Sequence, residues 1–337
     1  MLKFHKIMFS MTLTMGTLIS ISAYSWMSMW IGLEINLLSI IPLLSDSKNL
    51  YPSESALKYF ITQALASSIL MFSIISSINL NEFISQDQNS LLLMIMNSAL
   101  LTKMGAAPFH AWFPEVVEGL SWVNCLVMLT WQKIAPMILL MYNPYMTMFL
   151  TSIIITSAVI SGVLGLNQIS LRKIMAYSSI NHIGWMIASM LSSQSIWFIY
   201  FLTYSVITIN ILLIFSALNI FYLKQLFLAL NHNKTLKFFF ALNFLSLGGL
   251  PPFLGFFPKW LTINTLVQNN FLSVSLILIL FTLVTLFFYL RVTFTALVVN
   301  SKESLIFQTK PETFLVFFSN LISLAGLTAC TLTFNAF

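Results

Sequence analysis

The chain has 337 residues, of which 58% are hydrophobic and only 7% charged, and its mean hydropathy is +0.92. A soluble domain cannot bury so much apolar surface, so this composition excludes a soluble enzyme and predicts a polytopic membrane protein. The formal net charge of +6 comes from basic residues that lie mostly in predicted loops. It therefore indicates membrane orientation and is no sign of nucleic-acid binding.

Apolar stretches of at least about 17 residues can cross a bilayer. The chain contains eleven of them, so the predicted fold class is an all-α membrane protein with 11 transmembrane helices. The predicted spans are 8–24, 26–44, 56–80, 91–113, 121–142, 147–167, 174–191, 196–223, 236–267, 272–298 and 313–335.

The loop charges test this count, because eleven spans place the two termini on opposite faces. The face of the N-terminus then collects eleven Lys and Arg residues, and the other face collects none, only Glu82 and Asp87. Basic loops stay on the side of synthesis, so we expect the N-terminus on that side. The eleven basic residues are Lys3, Lys6, Lys48, Lys58, Arg172, Lys173, Lys224, Lys234, Lys237, Lys302 and Lys310.

Two apolar spans carry the same interruption. GAAPFHAWFPE at 105–115 and GLPPFLGFFPK at 249–259 share the pattern G-x-x-P-F-x-x-x-F-P at an offset of 144 residues. Glycine relaxes the backbone and proline removes a hydrogen-bond donor, so both spans are predicted to be broken helices. The residues expected to form the breaks are Gly105, Pro108, Pro114, Gly249, Pro252 and Pro258.

The breaks fall in the fourth and ninth spans, which an odd number of crossings separates. Broken helices at matching places of two halves are typical of inverted repeats in transporters. We therefore expect a first repeat over 1–145, a second over 146–298, and a C-terminal loop and helix over 299–337. YFIT at 59–62 and YFLT at 200–203 are a weaker sequence similarity between the halves.

Most ionisable residues lie in loops, at span ends or inside a break, and the exceptions are Glu34, Lys103, Lys133, His182 and Lys259. A charge at membrane depth costs at least about 2.5–3.5 kcal/mol on insertion scales, so its presence suggests a function. Burial disfavours a charged lysine and an opposite charge restores it, so a lysine that gains and loses such a partner can load and release a proton.

Each of these residues also has a structural interpretation. Glu34 could pair with a lysine only to hold helices together, and Lys103 could extend to the interface. Lys259 could cap a half-helix through its carbonyls, and His182 could be a hydrogen-bonded core histidine. Lys133 lies too centrally to reach the interface easily.

Other residues point to structure or orientation. We expect Glu115 and Glu118 to hold loops together, His110 to line a mouth or support the break, and Arg172 and Lys173 to set topology. Cys125 and Cys330 lie in apolar spans, which favours lone thiols over a disulfide or a metal site. No nucleotide-binding loop, metal-ligand cluster or nucleophile–base pattern is present in the sequence.

Five segments then carry a family resemblance. They resemble the subunit 2 family of mitochondrial NADH dehydrogenase, one of the antiporter-like membrane subunits of respiratory complex I. The segments are KYFITQALAS at 58–67, KMGAAPFHAWFPEVVEG at 103–119, LTWQKIAP at 129–136, LRKIMAYSSINHIGWM at 171–186 and GGLPPFLGFFPKW at 248–260.

The resemblance implies two inverted five-helix repeats and a row of buried charges that moves protons. Glu34 looks like the charged partner of the first half, Lys103 its pumping lysine and Lys133 the connecting lysine. Lys259 would be the terminal lysine and His182 a residue on the path between. We expect Glu34 within direct or single-water contact of Lys103, and Lys133 between Lys103 and Lys259.

The resemblance also implies partners and a place in the cell. We expect other membrane-arm subunits of complex I and lipids such as cardiolipin as partners, no nucleic acid and no homo-oligomer. NADH, FMN, iron–sulfur clusters and ubiquinone would belong to other subunits, and this chain would bind no cofactor. It would lie in the mitochondrial inner membrane with its N-terminus in the matrix. About three N-terminal helices of the bacterial pattern are missing, which would leave one flank of the first repeat open.

Two other functions remain open at this point. The chain could be a self-standing cation/proton antiporter, although a single intramembrane carboxylate disfavours this. It could also be a purely structural membrane subunit, in which case neutralising the buried charges would harm assembly and pumping equally.

Overall fold

The computed structural model describes residues 4–46, 49–80, 86–143, 146–230, 234–251, 253–298 and 320. Within these ranges the regular structure is helical, apart from an isolated antiparallel bridge between Ser170 and Tyr222. The chain divides into two compact units, Met1–Ile153 and Ile154–Phe337. The all-helical fold is confirmed, whereas the division into inverted repeats stays a prediction.

The described part of the first unit contains seven helices, and an eighth crosses the boundary to the second unit. They are α1 Phe4–Ser22, α2 Trp26–Leu44, α3 Leu50–Leu80, α4 Gln86–Met104, α5 Trp112–Gly119, α6 Trp122–Leu129, α7 Trp131–Met141 and α8 Thr147–Gly165.

The first two helices form a close antiparallel pair, joined by a short turn that ends at the N-cap Ser25. A Cβ atom built on Gly32 would lie 2.5 Å from the backbone nitrogen of Ser20. One on Gly16 would lie 2.9 Å from the backbone nitrogen of Asn36. The two glycines therefore allow the backbones of α1 and α2 to approach closely. On its other side α2 packs against α3, which also contacts α4 and α5.

The described part of the second unit contains six further helices. They are α9 Leu171–Met190, α10 Gln194–Leu218, α11 Leu223–Leu230, α12 Lys234–Gly248, α13 Phe256–Gln268 and α14 Leu272–Val298. Helix α13 packs against α9, α10 and α14, while α12 packs against α10 and α14.

Among the described residues, six helical segments are long and apolar enough to cross a membrane by length and composition. They are Trp26–Leu44, Leu50–Ile78, Trp122–Met141, Thr147–Gly165, Gln194–Leu218 and Leu272–Leu297. Two shorter apolar helices, Ser90–Met104 and Thr235–Gly248, belong to the interrupted spans. The chain is therefore a multi-pass membrane protein, and the count of eleven spans stays a prediction. The predicted span 313–335 lies outside the described residues except for Asn320.

Two predicted spans need correction. The fifth, expected as one helix, divides into α6 and α7 at Thr130, whose φ of −115° and ψ of −68° depart from helical values. Pro136 lacks the amide that would bond back along the helix, and this is the sequence signal for such a distortion. The eighth span ends at Leu218 instead of 223, because Asn219 takes a left-handed conformation and caps the helix.

Candidate functional site

The two interruptions begin and end at equivalent residues and open with the same backbone turn. Helix α4 ends at Met104 and α5 begins at Trp112, while α12 ends at Gly248 and α13 begins at Phe256. Both boundaries differ by the 144-residue offset of the sequence repeat. Gly105 and Gly249, which follow the two helices, have φ values of 74° and 77°. This left-handed backbone favours glycine, so the predicted breaks at these residues are confirmed.

Matching hydrogen bonds close both helix ends. The amide of Gly105 donates to the carbonyl of Thr102 at 3.2 Å, and the amide of Gly249 to that of Ser246 at 3.0 Å. The next amide in each break donates five residues back, over 3.1 Å in the first and 3.3 Å in the second. This pair of bonds is a Schellman motif, which ends a helix at a left-handed glycine.

The prolines of the repeat have clear places in the fold. Pro108 lies in the segment between α4 and α5, and Pro252 lies outside the described residues. Pro114 and Pro258 are the third residues of α5 and α13. Proline fits the first turn of a helix because the missing amide would have no intrahelical partner there.

A buried ion pair lies beside the first break. The Lys103 ammonium, near the end of α4, is 3.9 Å from a carboxylate oxygen of Glu34 in α2. The Lys103 side chain is 4% exposed and that of Glu34 is 25% exposed. The expected closeness of these residues is present. The distance exceeds that of a direct hydrogen bond, so the attraction between them is mainly electrostatic.

Neutral side chains satisfy the carbonyls at the end of α4. The Trp112 indole N–H donates to the carbonyl of Thr102 at 3.1 Å, and the Gln63 side-chain amide to that of Lys103 at 3.5 Å. The Lys103 ammonium can therefore face Glu34, because other donors meet the helix end.

The second break has a different arrangement. Lys259, in the first turn of α13, sends its ammonium back to the end of α12. It donates to the carbonyl of Gly248 at 2.9 Å and to that of Leu247 at 3.3 Å. Lys259 is 7% exposed, and its ammonium lies 5.9 Å from the centre of a Trp185 ring. The alternative in which Lys259 caps a half-helix therefore describes its geometry.

His182 in α9 belongs to an aromatic cluster in the second unit. Its Nδ1 lies 2.9 Å from the Tyr200 hydroxyl, and its ring centre lies 5.0 Å from that of Tyr204. His182 is 5% exposed. Both tyrosines are on α10, so this hydrogen bond ties α9 to α10. It is compatible with either interpretation of the histidine.

Lys133 lies in the first turn of α7, just after the division of the fifth span. It is 1% exposed, and its ammonium is 5.8 Å from the ring centre of Phe113. The preceding residue, Gln132, donates to the Asn36 side-chain oxygen at 2.9 Å and accepts from the Tyr59 hydroxyl at 3.4 Å. A polar network thus joins α2, α3 and α7 next to Lys133.

The remaining expected residues lie nearer the surface. Glu115 accepts from Lys58 at 3.1 Å, and Glu54 lies within 3.1 Å of the same lysine. Glu115 thus joins α5 to α3, two helices, where the sequence had suggested a contact between loops. His110 lies in the first break, with its Nδ1 3.3 Å from the carbonyl of Pro108.

The five functional candidates thus fall into the two units of the chain. The first unit holds the Glu34–Lys103 pair and Lys133, and the second holds His182 and Lys259. Sequence analysis did not identify the partners Trp112, Gln63, Gln132 and Tyr200. The repeated YFIT and YFLT segments were the available signal for two of them, since Tyr59 hydrogen-bonds to the half-buried Gln132 and Tyr200 to the buried His182. The order of Lys133 between Lys103 and Lys259 stays a prediction.

Within the described residues, no group of three or more His, Cys, Asp or Glu could hold a metal ion.

Comparisons with known proteins agree with this architecture. Residues 23–288 match the family described as NADH:quinone oxidoreductase/Mrp antiporter, transmembrane. NADH-ubiquinone oxidoreductase chain 2 of Anopheles gambiae is 49% identical over 97% of both chains. The protein of the same name from Aedes aegypti is 47% identical over 99% of both chains.

The fold resembles that of chains in solved membrane complexes. A chain of respiratory complex I from Thermus thermophilus superposes with a TM-score of 0.89 at 23% identity, over 98% of this chain and 79% of that one. A chain of the Mrp complex from Dietzia gives 0.79 at 12% identity, over 96% and 75%. The chain therefore belongs to the NADH:quinone oxidoreductase/Mrp antiporter membrane family and, within it, to the NADH-ubiquinone oxidoreductase chain 2 family.

Proposed function

We propose that this chain is a proton-translocating membrane subunit of respiratory complex I. The observation that carries the proposal is the buried pair of Glu34 and Lys103 at 3.9 Å, beside a helix break. A buried charge pair without a direct hydrogen bond can separate at little geometric cost. Separation changes which form of the lysine is favoured, so the pair can load and release a proton.

The remaining buried groups extend this site into a route. Lys133 lies near the polar network of the first unit, and Lys259 and His182 lie on neighbouring helices of the second. In this proposal Lys103 is the pumping lysine, Lys133 the connection, Lys259 the terminal lysine and His182 a residue between them. Electron transfer from NADH to ubiquinone elsewhere in the complex would drive the transfer.

The proposal includes a division of labour among subunits. Other membrane-arm subunits and lipids such as cardiolipin are the proposed partners. NADH, FMN, iron–sulfur clusters and ubiquinone are proposed to bind other subunits. The relatives named above are called NADH-ubiquinone oxidoreductase chain 2, which supports this assignment.

The test uses a Glu34→Gln variant of the assembled complex in sealed vesicles. Removing the carboxylate takes away the charge that favours protonated Lys103, so we expect the proton-to-electron ratio to fall while assembled complex persists. The matched control is Glu115→Gln, which removes an exposed carboxylate from the surface pair with Lys58 and should leave the ratio unchanged. Normal assembly with an unchanged ratio in Glu34→Gln would contradict the proposal.

A self-standing cation/proton antiporter is the second candidate, because the Mrp complex shares the fold. Purification separates the two. An antiporter would be active alone or as a homodimer, whereas a complex I subunit would purify with many partners. A purely structural subunit would instead lose assembly and pumping in equal measure when Glu34 is neutralised.

The proposed location is the mitochondrial inner membrane with the N-terminus in the matrix. Eleven Lys and Arg residues on one predicted face against none on the other support this orientation. Labelling of residues 231–237 in intact inner membranes tests it: reagents should reach them from the matrix side. Access from the intermembrane side would contradict the orientation.

A further inference from the structure

We infer that Gly249 is a positioning residue for Lys259: because Gly249 has no side chain, the lysine ammonium can dock on the carbonyl end of α12, which acts as its counter-charge within this chain. The inference rests on the proposed function, since it specifies how one lysine of the proton route keeps its proton. It assigns a role in that route to a glycine and to a helix end.

The first observation is the absence of acidic residues around Lys259. Between Glu118 and Glu303 the sequence contains no Asp or Glu. The described part of the second unit therefore offers Lys259 no carboxylate. Lys103, by contrast, has Glu34 at 3.9 Å. A buried ammonium needs compensation, so within this unit another negative group must supply it.

The second observation identifies that group. The Lys259 ammonium donates to the carbonyls of Leu247 and Gly248, which are the last two residues of α12. The carbonyl end of a helix carries a partial negative charge and stabilises a cation placed there. This end is well suited to the task because Lys259 follows the break and can reach back across it.

The third observation explains why the end is accessible. A Cβ built on Gly249 would lie 2.7 Å from Lys259 Cδ, 3.0 Å from its Nζ and 3.1 Å from its Cε. A side chain at position 249 therefore overlaps Lys259 Cδ and crowds Cε and Nζ, so the lysine arm has to shift. The arm is flexible and the helix end is not, so the lysine would move away from the carbonyls.

The first break supplies a matched comparison. Gly105 has nearly the same backbone, with φ 74° against 77°. A Cβ built on it would meet Phe113 instead, at 3.0 Å from Cβ and 3.1 Å from Cγ. Substitutions at 105 and 249 therefore strain the backbone alike, but the one at 249 presses directly on a lysine arm, whereas the one at 105 presses on Phe113, whose ring lies 5.8 Å from the Lys133 ammonium.

The helices packed against α13 are α9, α10 and α14, with α12 on the other side of the break. Among their side chains, His182 is the type that ordinarily titrates near neutral pH. A pH experiment must therefore separate Lys259 from His182. The titratable and charged residues on these helices are Arg172, Lys173, Tyr177, His182, Tyr200, Tyr204, Lys234, Lys237, Tyr289 and Arg291.

The experiment compares Gly249→Asn with Gly105→Asn in the assembled complex, because asparagine tolerates a left-handed backbone while adding a side chain. The proton-to-electron ratio is measured in vesicles from pH 6 to pH 9. The displaced ammonium of Gly249→Asn loses two acceptors, so we expect its ratio to fall about two- to fivefold on the alkaline side. The ratio near pH 6 should be retained in Gly249→Asn, and any effect of Gly105→Asn, which reaches Lys133 only through Phe113, should be the same across the pH range. In a His182→Gln background, which should lower the ratio at every pH, the additional loss on the alkaline side should persist.

The outcomes separate this inference from the proposed function. If Lys259→Gln lowers the ratio but both asparagine variants share one unshifted profile, Gly249 only forms the break and the inference is wrong. If Lys259→Gln leaves the ratio unchanged, the role of Lys259 in the proposed function fails instead. If neither asparagine variant assembles, an experimental density map of the unsubstituted complex at pH 6 tests the inference through the position of Lys259. The ammonium must lie within hydrogen-bond distance of both carbonyls, and an ammonium directed elsewhere overturns the inference.

Discussion

The two helix breaks open with the same backbone turn, but the lysines beside them have different partners. In the first, Lys103 precedes the break and faces Glu34, while Trp112 and Gln63 occupy the carbonyl end of the helix. In the second, Lys259 follows the break and occupies the carbonyl end itself. The comparison shows that the break is a structural frame. The residues placed around it decide whether a carboxylate or a helix end compensates the lysine.

The largest expected effect comes from reversing the charge of the first site. Glu34→Lys would place two ammonium groups within about 4 Å in a buried site, which we expect to cost about 3–5 kcal/mol. Assembled complex on native gels should be nearly lost. Glu115→Lys, at the exposed pair with Lys58, should leave most of it. Normal amounts of the Glu34→Lys complex would show that this pair is not a buried charge site.

The next prediction compares the two lysines directly. Lys103→Gln leaves Glu34 without its cation and should destabilise the complex by about 2–3 kcal/mol. Lys259→Gln keeps an amide that can donate to the α12 carbonyls, so its cost should be about 1 kcal/mol or less. Thermal denaturation of the purified complexes measures the difference. Both variants should lose proton pumping. Equal stabilities would remove the distinction between the two breaks.

A smaller effect is expected at the cap of the first break. Trp112→Phe removes the indole donor to the carbonyl of Thr102 and copies Phe256, which occupies the equivalent place in the second break. The loss of one hydrogen bond should cost about 1 kcal/mol. The midpoint of thermal denaturation should fall while the proton-to-electron ratio stays constant. A changed ratio would mean that Trp112 does more than close the helix.

The smallest effect belongs to the exposed pair. Lys58→Gln should change stability by about 0–1 kcal/mol, since Lys58, Glu54 and Glu115 all keep contact with solvent. Any difference should shrink in high salt, because exposed charges are screened. A large effect that persists in high salt would show that this surface becomes buried in the assembled complex.

The sequence was most informative about the breaks. Glycine at a left-handed position and proline in a first turn are local requirements, so the repeated motif located both interruptions to the residue. The choice of partner was harder to predict, because it depends on which helices meet. Nothing near Lys259 in the sequence shows that its arm turns back to Gly248 instead of reaching a carboxylate.

The fifth span shows the same limit. Its apolar composition predicted a continuous helix, and the distortion at Thr130 became clear only with the structure. Pro136 could have suggested it, but a proline in a span is often absorbed by a mild bend. Tyr200 and Gln132 were not predicted as site residues for a different reason. A neutral polar side chain costs much less at membrane depth than a charged one, so its presence there does not by itself indicate a function.

The close pairing of α1 and α2 affects where α2, and with it the Glu34 carboxylate, lies. Gly32 lies two residues before Glu34, and its missing side chain fixes how near α2 can lie to the backbone of Ser20. An added side chain at position 32 would push α2 away from α1, and the Glu34 carboxylate, which lies 3.9 Å from the Lys103 ammonium, would move with that helix. The first helix thus influences the position of a buried charge pair through a small residue at the contact between α1 and α2.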